Sequence, residues 1–190
     1  MNTKKAAAWF IISIMVLSIA GFIGGGLSSG NQNSPVTQEF NGYTFTQQNN
    51  QWVVTINNQK YGFLFLPQEL QTITLPLDVS NWRNKEKVYL VQDLWTISSF
   101  TPENSLNLVE AVFYAHNVRL QKACFTTENC PDFPIISCAS PTVVVRSPSS
   151  NITETKLSSD DQCLILETPS PPELEKITER IIYQFLGVMP

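Results

Sequence analysis

YTFTQQNNQWVVTINNQKYGFLF, residues 43–65, is the stretch on which the fold class turns. Apolar and polar positions alternate along it: Tyr43 and Phe45, then Trp52, Val54 and Ile56, then Tyr61, Phe63 and Phe65. A period of two marks strands that bury one face. Gln48-Asn49 and Asn57-Asn58 lie between the runs, and asparagine tolerates the left-handed backbone that two-residue hairpin turns require. With turns at those positions, Phe45 faces Trp52 and Tyr43 faces Val54; Val54 then faces Tyr61, and Trp52 faces Phe63. Both turns place the aromatic side chains on one face. The stretch predicts a three-stranded antiparallel meander over residues 43–66.

Working outward toward the C-terminus, Pro67-Gln68-Glu69-Leu70 suits a single helical turn, and residues 71–86 are irregular. Val88–Val91 is a short apolar run of the kind found in buried strands. Thr101-Pro102-Glu103 opens a helix, with a capping hydroxyl, proline at the first helical position and an acid in the first turn. Leu106, Val109, Val112, Phe113, His116 and Leu120 follow at helical spacing. Phe133–Ile136, Thr142–Val145 and Cys163–Leu166 are predicted as buried strands, Ser147–Ser150 as a turn and Asn151–Thr153 as a strand edge. Ser170-x-x-Glu173 has the form of a capping box. Leu174, Ile177, Ile181 and Phe185 form the stripe of a last helix that stops at Gly187. The expected architecture is α+β: an N-terminal transmembrane helix, an antiparallel aromatic β-meander, then a mixed sheet with two packed helices. No internal repeat is present.

Working outward toward the N-terminus, residues 6–23 carry no charge and follow Lys4 and Lys5. Eighteen residues in a helix span about 27 Å, close to the apolar thickness of a bilayer. The lysines on the amino side orient the N-terminus inward and the C-terminal body outward. Residues 1–27 are therefore read as a signal anchor, 28–40 as a flexible linker rich in Gly, Ser and Asn, and 41–190 as one extracytoplasmic domain. Two alternatives compete with the anchor. One is a cleavable signal peptide with a small-x-small site at Ser18-Ile19-Ala20. The other is a pilin-type leader processed near Lys5-Ala6, whose helix packs into a filament.

The four cysteines, Cys124, Cys130, Cys138 and Cys163, all fall in the body that this topology exports, where disulfides are expected. They are separated by five, seven and twenty-four residues. None forms C-x-x-C, so a zinc ribbon or a thioredoxin-type site is not written here. The favoured pairing is Cys124–Cys130, closing a small polar loop, and Cys138–Cys163, joining two strand ends.

Composition and motifs exclude several function classes. The formal net charge is −4, and no basic stripe is present, so nucleic acid is not an expected partner. No glycine occurs between Gly62 and Gly187, which removes the phosphate-cradling loops of nucleotide sites and the EF-hand turn. His116 is the single histidine; any Ser/His/Asp or Cys/His centre must use it, yet it sits on the apolar side of a predicted helix. Asp160-Asp161 reads as a solvated turn. No catalytic residue, metal ligand or cofactor is assigned. Asn151-Ile152-Thr153 is an N-x-Thr sequon, making Asn151 a glycan acceptor in an exported domain.

Asn41-Gly42-Tyr43-x-Phe45, Trp52, Tyr61-x-Phe63-x-Phe65-x-Pro67-x-Glu69-Leu70 and the closing IIYQFLG of residues 181–187 resemble small archaeal envelope proteins with one N-terminal anchor. That resemblance implies a location and no activity. The expected role is a membrane-anchored, non-enzymatic binding or assembly subunit of an envelope complex, with a protein partner. An extracytoplasmic thiol–disulfide enzyme using Cys124 and Cys130, or a pilin-like filament subunit, is the alternative.

Overall fold

The computed structural model describes residues 35–92, 103–146 and 153–190. The anchor read at residues 6–23 and the sequon at Asn151 lie outside them. Among the described residues no helix is long and apolar enough to cross a membrane. The folded unit runs from Val36 to Pro190 and contains an antiparallel sheet, a mixed sheet and two α-helices.

The antiparallel sheet has four strands in sequence order: β1 (Thr37–Phe40), β2 (Tyr43–Gln48), β3 (Gln51–Ile56) and β4 (Gln59–Phe63). Its three turns, Asn41-Gly42, Asn49-Asn50 and Asn57-Asn58, have positive φ at both central residues. That is the backbone which matches the right-handed twist of a hairpin. Two expectations need correcting. The first turn falls at Asn49-Asn50, so Phe45 pairs with Val54 and Gln47 with Trp52. The slip is by two residues and therefore leaves every side chain on its expected face. The second correction concerns the linker: its last residues, Thr37–Phe40, form β1. This strand is mostly exposed and carries little apolar signal, and it is held by backbone pairing to β2. The second hairpin has the register read from the sequence, with Val54 opposite Tyr61 and Trp52 opposite Phe63.

The mixed sheet contains β5 (Lys87–Gln92), β6 (Arg119–Ala123), β7 (Thr142–Arg146), β8 (Lys156–Asp160) and β9 (Cys163–Glu167), in the spatial order β6-β5-β7-β9-β8. β6, β5, β7 and β9 are parallel, and β8 joins β9 antiparallel. Parallel neighbours need crossovers, and α1 (Glu103–Ala115) carries the one from β5 to β6. The sequence reading ran this helix on to Leu120. Instead Asn117 turns left-handed at φ 61°, Val118 N–H bonds Phe113 O, and Asn117 N–H bonds Tyr114 O. This is the two-bond stop that ends many helices; Leu120 lies in β6. Phe133–Ile136 is likewise no strand but a single bridge between Ile135 and Cys124. Pro134, inside the run and next to the bridged Ile135, has no N–H to donate to a ladder. β8 carries no clear alternation and was missed.

α2 (Pro171–Leu186) closes the chain. Ser170 has extended backbone, but its side chain accepts no capping hydrogen bond, so the expected capping box does not form; Glu173 pairs with Lys176 at 3.0 Å instead. Gly187, at φ 78°, stops the helix through the bonds of Gly187 N–H to Gln184 O and Val188 N–H to Tyr183 O. From Ile177 to Leu186 every residue of α2 is buried, because the helix has a sheet on each side. Tyr183 meets Phe63 at 4.3 Å and Phe45 at 5.9 Å in the antiparallel sheet. Ile181 and Thr178 meet Leu90, Val143 and Leu166 of the mixed sheet around a small apolar void. The predicted stripe accounts for one side of the helix only. The mixed sheet's other face, with Val91, Ala123, Val144 and Cys163, packs against Phe125, Ile136 and Cys138 of the β6–β7 connection.

Candidate functional site

Burying α2 on all sides forces its polar residues to find partners within the fold. Glu179, 2% exposed, accepts the backbone N–H of Leu64 at 2.7 Å and of Phe65 at 2.9 Å. Tyr183 donates its hydroxyl to Phe65 O at 2.7 Å. Arg180 donates Nε to Ile73 O at 3.0 Å and Nη2 to Pro190 O at 2.5 Å. Gln184 Oε1 accepts Val79 N–H at 3.2 Å. One turn and a half of helix thus fastens the whole segment between β4 and β5 through its backbone.

Glu179 is the electrostatic centre of this region. Burial disfavours its charged form and pushes its pKa from 4.5 up to about 7, against the pull of the two N–H donors. The carboxylates of Glu175 and Glu69 push in the same direction as burial. Beside Glu179 lies a cleft of about 470 Å³ between the edge of the antiparallel sheet and the two helices. Gln51, Gly62 and Leu64 form one wall, Asn107 and Leu108 of α1 another, and Glu175, Thr178 and Glu179 of α2 the third. Gly62 matters to its shape: a Cβ there would lie 3.0 Å from Gln51 Oε1, so a side chain would displace the amide that crosses it.

The residues singled out from the sequence lie elsewhere. Cys124 is bonded to Cys130 and Cys138 to Cys163, and no free cysteine remains among the described residues. Cys124 is only 7% exposed, a poor position for the attacked sulfur of a redox couple. His116 stands just past α1, stacked on Tyr61 at 6.4 Å and edge-on to Phe185 at 5.4 Å. Its Nε2 is 3.1 Å from Tyr61 Oη. Burial first, and Arg83 second, lower its pKa. Those contacts fix the ring as a packing element between β4 and α2, with the Tyr61 hydroxyl as its polar partner and no serine, threonine or cysteine among them. Asp161 occupies a left-handed position in the β8–β9 turn. Among the described residues no group of three or more His, Cys, Asp or Glu side chains could hold a metal ion.

Sequence reasoning therefore missed Glu179. Its neighbours Thr178 and Arg180 made positions 178–180 look like the solvated side of an amphipathic helix. Only the second sheet, packed on that side, reverses the reading. No known family profile, curated protein or solved structure matches the chain.

Proposed function

We propose that the chain is a membrane-anchored, extracytoplasmic binding subunit, with residues 6–23 as the anchor and the folded unit presenting the Glu175/Thr178 cleft to a ligand or partner. The observation that carries this reading is the complete pairing of four cysteines into two disulfides, the state favoured in an oxidising compartment. Both bridges lie in or beside the connection that covers one face of the mixed sheet, a structural position. Each bridge has one buried cysteine, Cys124 and Cys163, which favours a binding role over thiol–disulfide exchange.

Two measurements on the native host test the reading. Alkylation of intact cells before and after reduction should show all four thiols protected until the reductant is added. Protease added outside the cell should cleave the folded unit free of its membrane fraction. Four thiols alkylated without reduction, on a chain that external protease cannot reach, would sink it.

A further inference from the structure

We propose that the cleft between the antiparallel sheet and the two helices binds a primary ammonium group, with Glu175 as counter-charge and Thr178, Gln51 and Asn107 as acceptors. The proposal deepens the binding role above and rests on it, but not on export.

Charge is the first ground. Among the described residues the cleft is bordered by two carboxylates, two primary amides and one hydroxyl, and by no lysine or arginine. An anionic ligand would meet repulsion there, whereas a cation would relieve the mutual repulsion of Glu175 and Glu179. Geometry is the second. Thr178 is 1% exposed, and its hydroxyl bonds no other described residue. Of the described cavities Thr178 borders two, and only the cleft has further polar groups in its lining. The other, of about 10 Å³, is lined by leucine, valine and isoleucine and suits neither water nor ligand. Stoichiometry is the third. An ammonium has three donors and no acceptor, which a carboxylate, a hydroxyl oxygen and an amide carbonyl can satisfy together.

Glu179 supplies a signature that a neutral ligand would not produce. It faces Glu175 on its own helix and Glu69 on the turn after β4, and its oxygens hold the Leu64 and Phe65 amides. A cation placed beside it favours its ionised form, so binding near pH 7 should release protons.

The test is calorimetric titration of the full-length chain in detergent micelles with putrescine, with Nα-acetyl-lysine amide, and with glucose and acetate as controls, each in two buffers of different ionisation enthalpy. At least one amine should bind with Kd of about 1 mM or tighter and release protons. Glu175→Gln should weaken that binding about tenfold and Thr178→Val a few-fold, with melting curves confirming that both variants fold. Putrescine alone binding identifies a free amine as the ligand; the lysine amide alone identifies a lysine side chain. No amine binding at 10-fold above that Kd, equal binding by glucose, or an amine affinity unchanged in Glu175→Gln overturns the proposal. A chain that is oxidised and exported yet ignores amines removes this site and leaves the binding subunit. A cytosolic, reduced chain that binds amines does the reverse.

Discussion

The two sheets of this protein hold together by different means. The antiparallel sheet is made of neighbours in sequence, joined by three tight asparagine-bearing turns, and has no covalent link. One face of it, Phe45, Val54, Ile56, Tyr61 and Phe63, is buried. The mixed sheet brings together strands far apart in the chain, has both faces covered, and carries both disulfides in or beside its β6–β7 connection. Local pairing closes its loops at little entropic cost, while parallel pairing must first bring distant segments together. The cross-links stand where the chain gives least local help, and α2, wedged between the sheets, makes each depend on the other.

The most damaging test of that dependence is Phe63→Ala. Phe63 is fully buried and packs its ring, tilted by 30°, against Tyr183 of α2. Truncation leaves a cavity at the junction and should cost about 4 kcal/mol, read by urea denaturation. If the sheets form one cooperative unit, hydrogen exchange in β7 and β9 should accelerate as much as in β3 and β4. Acceleration confined to β3 and β4 would show that the sheets unfold separately.

Next in size is the loss of the Cys138–Cys163 bridge, which closes a separation of 25 residues. Replacing both cysteines by alanine should cost about 3 kcal/mol on the same denaturation measurement. The Cys124–Cys130 bridge, with a separation of 6, should cost about 2 kcal/mol on the same model. Equal losses from the two would mean that loop closure is not what the bridges contribute.

Legibility in the sequence follows the same division. Strand spacing and turn residues report contacts between near neighbours, so the meander, its faces and the Asn57-Asn58 register could be read directly. The first turn slipped because Gln48-Asn49 and Asn49-Asn50 offer almost the same chemistry. β1 escaped because Thr37–Phe40 is held by backbone pairing and has one large apolar residue. In the mixed sheet β5, β7 and β9 announced themselves as short apolar runs, but β8 did not, and proline disqualified Phe133–Ile136. The cysteine pairs followed from loop length. Glu179 was illegible for a physical reason: its burial is imposed by a sheet about 115 residues upstream, and no local pattern carries that information.

A pH titration sharpens the comparison at the point where α2 grips the antiparallel sheet. Because Glu179 binds its proton more tightly folded, with pKa about 7 against an ordinary 4.5, its contribution to stability is full below pH 4.5. It is lost as the pH rises through about 7, a change of about 3 kcal/mol. His116, with its pKa lowered, acts in the opposite sense, losing stability as the pH falls below 6.5. The difference between wild type and Glu179→Gln isolates the carboxylate, since His116 is common to both. That difference should fall by about 3 kcal/mol between pH 4.5 and 7.5 and be flat outside the window. A difference constant across it would mean that Glu179 titrates alike in the folded and unfolded chain.

The smallest effect probes the hairpins themselves. Asn49 and Asn50 have φ of 49° and 61°, both in the region where a Cβ is costly and glycine is not. Asn50→Gly produces the Asn-Gly pair best suited to this turn and should raise stability by about 0.5 kcal/mol, a shift of a few degrees at most in the melting temperature. The gain is limited because glycine also loosens the unfolded chain. The same substitution at Asn58, φ 64°, should give a similar gain. Destabilisation at Asn50 alone would instead place the working turn at Gln48-Asn49, with Phe45 opposite Trp52, and overturn the register on which the packing of Phe45 against Val54 depends.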